Sequence, residues 1–262
     1  MSRPHDTPRI SVIIPTHNEQ AQIADTLDSL RGCGAHEVIV VDGHSDDDTY
    51  AIAQSHGALV NKAAPGRANQ MNVGADAATG DVVLFLHADT HLPADFVTLA
   101  RDALGRPGVV AGAFALQIDA PGRTFRLLER LVHWRSRTMQ RPYGDQALFL
   151  SKALFEELGR FPQAPIMEDY LLTRRLRRRG RIAIIEEPAV TSARRWQAHG
   201  VWWATFVNQL CIALHRLGIP LDHVAHLRRR WIGVRQPDCA AAAGNDPKSA
   251  RQLHDAQVVQ GP

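Results

Sequence analysis

The 262-residue chain has few cysteines, no strong excess of charge and no long apolar run. Its three cysteines, Cys33, Cys211 and Cys239, are widely spaced and odd in number, which predicts neither a disulfide framework nor a zinc site and favours a reducing compartment. A formal net charge of +3 gives no indication of nucleic-acid binding. The N-terminus, MSRPHDTPR, lacks the apolar core of a secretory signal, and no run is long enough to cross a bilayer. We therefore expect a cytoplasmic protein.

Three short apolar runs predict strands that are buried on both faces. Residues 10–14, 37–41 and 82–86 are continuous and rich in β-branched side chains, as the strands of parallel sheets are. Helical patterns lie between them, including one predicted over 67–78, and a capping box is predicted at Ser45 and Asp48. Alternating strands and helices predict an α/β doubly wound fold.

In the second half of the chain, the predicted strands and helices no longer alternate regularly. Predicted strands cover 109–118, 147–150 and 181–187, and predicted helices cover 123–139, a segment starting near Glu168, 200–217 and 221–231. From about residue 237 the composition favours a frayed tail.

Polar segments follow three predicted strands, at the strand ends where doubly wound folds bind ligands. Asp42 could hydrogen-bond a ribose or base edge, although turn aspartates are common after any strand. Asp89 is a hard oxygen ligand of the kind that Mg²⁺ and Mn²⁺ prefer, although it could equally cap the next helix. Asn18 and Glu19 could open the following helix.

Charged residues also stand at the start of two predicted helices and after the predicted strand 181–187. A cation at Arg67, where a helix begins, suits a diphosphate better than it suits helix stability. Asp169 or its neighbour Glu168 could act as a general base, or both could be ordinary first-turn acids. Arg195 and Trp196 could hold a phosphate and a sugar face, or form a surface turn.

Taken together and in order, these segments resemble the family 2 glycosyltransferases of the GT-A fold. The segments that carry the resemblance are VIIPTHNE (12–19), VIVVDGHSDDDT (38–49), GRANQMNVGADAATGDVVLFLHADT (66–90), GDQALFLSKALFEELGRFP (144–162), MEDYLLTRRLRRRG (167–180) and TSARRW (191–196). The wording of FLHADT, GDQALF and ARRW is most similar to a bacterial subgroup, the radical-SAM/selenodomain-associated transferases.

The resemblance implies a Rossmann-like, mostly parallel α/β sheet flanked by helices, with a C-terminal helical extension. The GT-A domain would span 8–200, with a donor half at 8–107 and an acceptor half at 108–200. The helical extension would cover 201–236, and 237–262 would be a disordered tail.

The resemblance also implies roles for individual residues. Asp169 would be the catalytic base and Asp89 the metal ligand. From the residue types alone, His87 could supply a nitrogen ligand or a ribose hydrogen bond, and His199 could complete the metal shell. The implied donor-binding residues are Pro15, Glu19, Asp42, Arg67, His87 and Asp89; the implied acceptor-binding residues are Gly144, Asp145, Gln146, Glu168, Arg195 and Trp196. His87 stands where the family commonly has an aspartate. The glutamine that begins the Arg-Trp motif of polysaccharide synthases is missing, so processive polymer synthesis is not expected.

The implied function is metal-dependent, inverting transfer of a sugar from a nucleoside-diphosphate sugar to a hydroxyl acceptor, with Mg²⁺ or Mn²⁺ as the cofactor. The acceptor could be lipid-linked, because 201–236 combines apolar and basic residues suited either to peripheral membrane contact at the inner face of the membrane or to a homodimer. No nucleic-acid partner is expected.

Two other classes of protein stay open. A nucleotidyltransferase would need a glycine-rich loop after the first strand, where PTHNE stands. A catalytically lapsed GT-A scaffold is favoured by His87, and the presence of Asp42, Arg67, Asp89 and Asp169 together argues against it.

Overall fold

The apolar runs form the strands of one sheet in the computed structural model, which describes residues 7–232. The strands are β1 (Ile10–Thr16), β2 (Glu37–Asp42), β3 (Leu59–Lys62), β4 (Val82–Phe85), β5 (Thr90–His91), β6 (Val109–Asp119), β7 (Phe149–Ser151) and β8 (Arg181–Ser192). Their order across the sheet is β3-β2-β1-β4-β7-β6-β8-β5. Only β7 and β5 pair antiparallel with their neighbours, so the described sheet is mostly parallel, as predicted.

Helices flank this sheet. They are α1 (Ile23–Ser29), α2 (Thr49–Ser55), α3 (Arg67–Ala77), α4 (Phe96–Leu104), α5 (Arg123–Met139), α6 (Lys152–Glu157), α7 (Glu168–Leu176), α8 (Arg194–His199), α9 (Val201–Arg216) and α10 (Leu221–Ile232), with a 3-10 turn at Gly144–Gln146.

The sheet separates two apolar core clusters. In β1, Val12 and Ile14 face one cluster and Ile13 faces the other; in β4, Leu84 and Phe85 divide in the same way. Because side chains alternate along a strand, a run that is apolar at every position packs on both faces. The prediction of doubly buried strands is confirmed.

The topology gathers several polar segments at one edge of the sheet. Strands β1, β2 and β4 run parallel, so the segments that follow them emerge on the same side. Strand β5, which follows β4 directly, pairs with the end of β8. This pairing brings the start of α8 beside the segment that contains Asp89, because Ser192 N donates to Asp89 O at 3.0 Å.

Some predicted details differ from the structure. The capping box at Ser45 and Asp48 is wrong: α2 begins at Thr49, the Asp48 side chain makes no capping bond, and the Ser45 hydroxyl donates to Asp42 instead. Helices α9 and α10 lie within the predicted extension, whose boundary stays a prediction, and the predicted tail at 237–262 lies outside the described residues.

Candidate active site at the strand ends

The end of β2 presents a buried carboxylate. Asp42 is 1% exposed, and its two oxygens accept from the backbone N–H of Ser45 at 3.0 Å and from the Ser45 hydroxyl at 2.5 Å. The loop beside it is fixed by Gln70, whose amide donates to the carbonyls of Thr16 and Val41. Pro15 is partly buried and lies opposite Val41 in the neighbouring strand. Asp42 is therefore held in a single orientation at the sheet edge.

Two further carboxylates share one cation. Arg194 Nη2 lies 2.6 Å from Glu19 Oε2 and 3.2 Å from Asp89 Oδ2. Burial raises the pKa of Glu19, and the Arg194 guanidinium opposes this shift. The segments after β1 and β4 thus meet at Arg194, the first residue of α8.

His87 is uncharged at neutral pH in this environment. Burial, together with the nearby Arg67 and Arg195 guanidinium groups, holds the pKa of His87 well below its ordinary value. A Cβ at position 144 would lie 3.1 Å from His87 Nε2, so glycine allows the backbone to approach the imidazole closely. A neutral imidazole can accept a hydrogen bond or ligate a metal, but it adds no negative charge.

The start of α7 holds the predicted catalytic carboxylate. Asp169 Oδ2 accepts from Gly144 N at 2.6 Å, and its Oδ1 accepts from Tyr170 N at 2.7 Å. Its neighbour Glu168 is 7% exposed and lies 3.7 Å from Arg67 Nη1. Burial raises the pKa of Glu168, and the Arg67 charge lowers it.

These groups surround one small pocket. Its walls include Arg67, His87, Gly144, Glu168 and Asp169, with an apolar floor that contains Phe85 and Phe161. The structure therefore brings together five residues that the sequence predicted for the donor, acceptor and catalytic roles. A larger open groove of about 700 Å³ lies elsewhere, between α5 and the strands β6 and β8.

The other predicted acceptor residues differ in how accessible they are. The Asp145 side chain is 12% exposed, its Oδ2 lies 3.3 Å from Arg195 Nη2, and its Oδ1 has no hydrogen-bond partner in the described part of the chain. Burial raises the pKa of Asp145. Gln146 is fully buried, and its amide bonds Ser136, Tyr143 and Phe114. Trp196 is 6% exposed and packs in the cluster beneath α5.

The predicted metal ligand of this site is Asp89. Within residues 7–232, no group of three or more His, Cys, Asp or Glu side chains forms a complete metal shell. Asp89 nevertheless fits a divalent ion, because its carboxylate already contacts a cation and Mg²⁺ usually takes most of its ligands from water and phosphate. His199 is the last residue of α8, and its imidazole makes no hydrogen bond within residues 7–232.

Comparison with known proteins now identifies the family. The model of glycosyl transferase family 2 matches residues 11–155, more than half of the chain. The chain belongs to this family.

Curated relatives in the family match only a part of the chain. A PGL/p-HBAD biosynthesis glycosyltransferase of Mycobacterium tuberculosis is 41% identical over 106 residues, which are 37% of this chain and 41% of the relative. An uncharacterized glycosyltransferase of Rickettsia conorii is 39% identical over 87 residues, which are 33% of this chain and 30% of the relative. The chain thus spans less than half the length of these relatives.

Solved structures confirm the GT-A-like fold over a longer stretch. Glucosyl-3-phosphoglycerate synthase of Mycobacterium tuberculosis, solved with Mn²⁺, uridine diphosphate and glucosyl-3-phosphoglycerate, has a TM-score of 0.60 and 25% identity, and covers 84% of this chain and 87% of its own. In the described part of this family 2 glycosyltransferase, no helix is both long and apolar enough to traverse a bilayer.

Three cations of the site were not predicted from the sequence. Arg194 lies in the segment TSARRW, but no residue pattern indicates that it reaches Glu19 and Asp89. Arg135 stacks on Tyr143, with the guanidinium carbon 3.6 Å from the ring centre. Arg228 on α10 is partly buried near Arg195 and Arg67, and burial together with these charges lowers its pKa. In the sequence, Arg228 is distinguished only as the first of three consecutive arginines at 228–230.

Proposed function

We propose that this family 2 glycosyltransferase moves a sugar from a nucleoside-diphosphate sugar to a hydroxyl acceptor with inversion at the anomeric carbon. The observation that supports this proposal best is the pocket at the strand ends, where Asp169, Arg67 and His87 converge beside the Asp89 segment. A base, a diphosphate-binding cation and a metal-binding carboxylate are the groups that a single displacement requires.

Asp169 is the general base in this proposal. Two backbone N–H groups hold its carboxylate, so the carboxylate direction is set before the substrate arrives. It accepts the proton of the acceptor hydroxyl while the hydroxyl oxygen attacks the anomeric carbon from the side opposite the leaving diphosphate. The bond from the anomeric carbon to the diphosphate oxygen breaks, and the nucleoside diphosphate leaves with the electron pair.

The donor would lie along the strand ends. Asp42 and Glu19 would border the nucleoside, Arg67 would contact the diphosphate, and Asp89 would hold Mg²⁺ or Mn²⁺ with His87 or His199 as a further ligand. When bound, the metal would neutralise the negative charge that develops on the leaving diphosphate. Because glucosyl-3-phosphoglycerate synthase was solved with Mn²⁺ and uridine diphosphate, we propose a uridine diphosphate sugar as the first donor to try.

The acceptor side would be formed by Gly144, Asp145, Glu168 and Arg195, with Gln146 and Trp196 fixing their positions from the interior.

We further propose membership of the radical-SAM/selenodomain-associated subgroup, which rests on FLHADT, GDQALF and ARRW.

A donor panel tests the activity. UDP-, GDP- and dTDP-sugars are incubated with and without Mn²⁺, and release of nucleoside diphosphate is measured. Asp169→Asn keeps the side-chain shape and removes the base, so turnover should fall by about 10²-fold or more while donor binding stays within a few-fold. Full turnover in Asp169→Asn would refute the assigned base. A wild-type chain that neither binds nor turns over any donor would support the lapsed scaffold.

We also propose that the protein attaches peripherally to anionic membranes and that its acceptor is lipid-linked. Helix α9 exposes Trp202, Trp203 and Phe206, and α5, which packs beside it, exposes Leu131 at 48% and Trp134 at 57%. Of the five arginines of α5, Arg123 and Arg130 are exposed and have no ion-pair partner within residues 7–232, whereas the net charge of the whole chain is only +3. Exposed aromatic rings beside concentrated positive charge suit an anionic lipid surface.

A second copy of the chain fits this face less well. A two-fold interface would place the arginines of one α5 against those of the other, and like charges brought together oppose association.

Vesicle sedimentation tests the membrane proposal. The chain should pellet with vesicles that contain phosphatidylglycerol and stay in solution with phosphatidylcholine alone, and Leu131→Ser with Trp134→Ser should abolish pelleting. Leu59→Ser, at a site 54% exposed on the edge strand β3, is the matched control. Equal pelleting with both lipids would overturn the selectivity for anionic membranes. No pelleting with either lipid, or a dimer by light scattering that the double variant dissociates, would overturn the membrane assignment.

A further inference from the structure

Arg194 contacts the carboxylate of Asp89, so a metal ion that binds Asp89 would compete with Arg194 for the same oxygen atoms. Its Nη2 contacts Asp89 Oδ2 at 3.2 Å and Glu19 Oε2 at 2.6 Å, and the two carboxylate side chains are only 23% and 26% exposed. Two partly buried carboxylates that share one guanidinium repel each other when both are ionised, and a cation between them stabilises that ionised state. In this structure the protein itself provides that cation.

The backbone that carries Arg194 cannot easily withdraw. Strand β8 ends at Ser192, whose N–H donates to Asp89 O, and the buried hydroxyls of Thr90 and Thr191 lie 2.9 Å apart. The pairing of β5 with β8 therefore ties the start of α8 to the Asp89 segment. The Arg194 side chain is 46% exposed, so it can rotate while its backbone stays in place.

We propose that Arg194 couples metal binding to donor binding by occupying Asp89 until a diphosphate arrives. The inference rests on the proposed function. A divalent ion that approaches Asp89 alone is repelled by the guanidinium only a few ångströms away. The donor diphosphate brings negative charge that compensates both cations. Arg194 then releases Asp89, the more distant of its two partners, and keeps Glu19.

The coupling has a measurable thermodynamic form. The metal affinity with nucleotide divided by the affinity without it is a coupling factor, and the same factor describes the effect of metal on nucleotide affinity. In the wild-type chain we expect Mn²⁺ alone to bind weakly and Mn²⁺ with uridine diphosphate to bind tightly. An arginine that only stabilised the fold would leave this factor unchanged.

Electron paramagnetic resonance of free Mn²⁺, with and without uridine diphosphate, measures both affinities without any turnover. In Arg194→Gln, Mn²⁺ alone should bind about tenfold more tightly, because one positive charge near the ion is gone. The coupling factor should fall by a similar amount. Arg194→Lys keeps the charge and should keep most of the coupling. Arg31→Gln, which removes an exposed pair with Asp28, is the control and should change neither affinity.

An unchanged coupling factor in a folded Arg194→Gln variant overturns the inference, and so does a wild-type chain that binds Mn²⁺ equally well with and without nucleotide. If no Mn²⁺ binds under either condition, or if Asp89→Asn leaves binding intact, the metal site of the proposed function fails instead. The two failures are therefore distinguishable.

Discussion

At the scale of single residues, Glu168 shows how a site carboxylate affects stability. It is 7% exposed at the start of α7, and Arg67 at 3.7 Å is its ion-pair partner. Burial raises the pKa of Glu168 above its ordinary value of 4.5, so the folded chain binds this proton more tightly than the unfolded chain does. The folded state therefore loses stability as pH rises from the ordinary value through the raised one.

Glu168→Gln should remove this loss. The neutral amide has nearly the same shape and does not have to ionise in a buried position, so the variant should gain free energy of unfolding relative to wild type between about pH 5 and about pH 7.5. Urea unfolding of both proteins at the two pH values measures the gain. Transfer activity should fall in the same variant, because buried charges at functional sites are commonly retained for function. A difference between the proteins that does not vary with pH would contradict the prediction.

The carboxylates that the sequence predicts for the site share a physical signature. Asp42, Asp89 and Asp169 are carboxylates at strand ends or helix starts, where the sequence order of the segments is informative. Arg194 could not be assigned in this way, because its partner Glu19 is 175 positions away and the contact depends on the β5–β8 pairing. The core position of Gln146 could not be predicted either, because its amide nitrogen donates to the carbonyl of Phe114, which lies 32 positions away on β6.

At the scale of elements, a glycine allows α3 to pack closely against the sheet. A Cβ at Gly74 would lie 2.4 Å from Ile13 Cγ2 and 3.1 Å from Val41 Cγ2, in the middle of β1 and β2. The close approach sets the position of Arg67, two turns earlier on α3, against the start of α7.

Gly74→Ala should have two effects of opposite sign on the free energy of unfolding. Alanine in a helix interior is worth about 1 kcal/mol over glycine, whereas overpacking a dense core costs about 1–3 kcal/mol. Because the clash is with branched side chains of central strands, we expect the clash to win and the free energy of unfolding to fall by about 1–2 kcal/mol. Denaturant unfolding measures the change, and Ala77→Gly, at the exposed last residue of α3, reports the effect of a helix glycine that has no core contact. A more stable Gly74→Ala variant would show that α3 can move away from the sheet.

Short elements mark the limit of prediction at this scale. Strand β5 has two residues and α6 has six, too few to display a hydrophobic period. Strand β3 lies at the sheet edge with Leu59 and Lys62 exposed, so it lacks the continuous apolar run that identified β1, β2 and β4. The long central strands could be predicted because burial on both faces leaves a run of apolar residues.

At the scale of the whole molecule, contacts connect the predicted donor half with the predicted acceptor half around the site. Arg194 bonds Glu19, Arg67 faces Glu168, and the Asn72 amide exchanges two hydrogen bonds with the backbone of Phe161. The central strand β4 also pairs with β7 across the same division. A ligand that binds between these segments therefore contacts both halves and should stabilise the chain as one unit.

Uridine diphosphate with Mn²⁺ should raise the midpoint of thermal unfolding. A ligand at about a hundred times its dissociation constant adds about 2.7 kcal/mol to a folded state that alone binds it, which corresponds to roughly 5–10 °C for a chain of this size. Differential scanning fluorimetry measures the shift, with nucleotide alone and metal alone as controls. Asp89→Asn should lose the metal-dependent part and keep a smaller shift from the contacts to Arg67. A lapsed scaffold would show no shift that requires both ligands, because without an intact diphosphate and metal site the two have no shared state to stabilise.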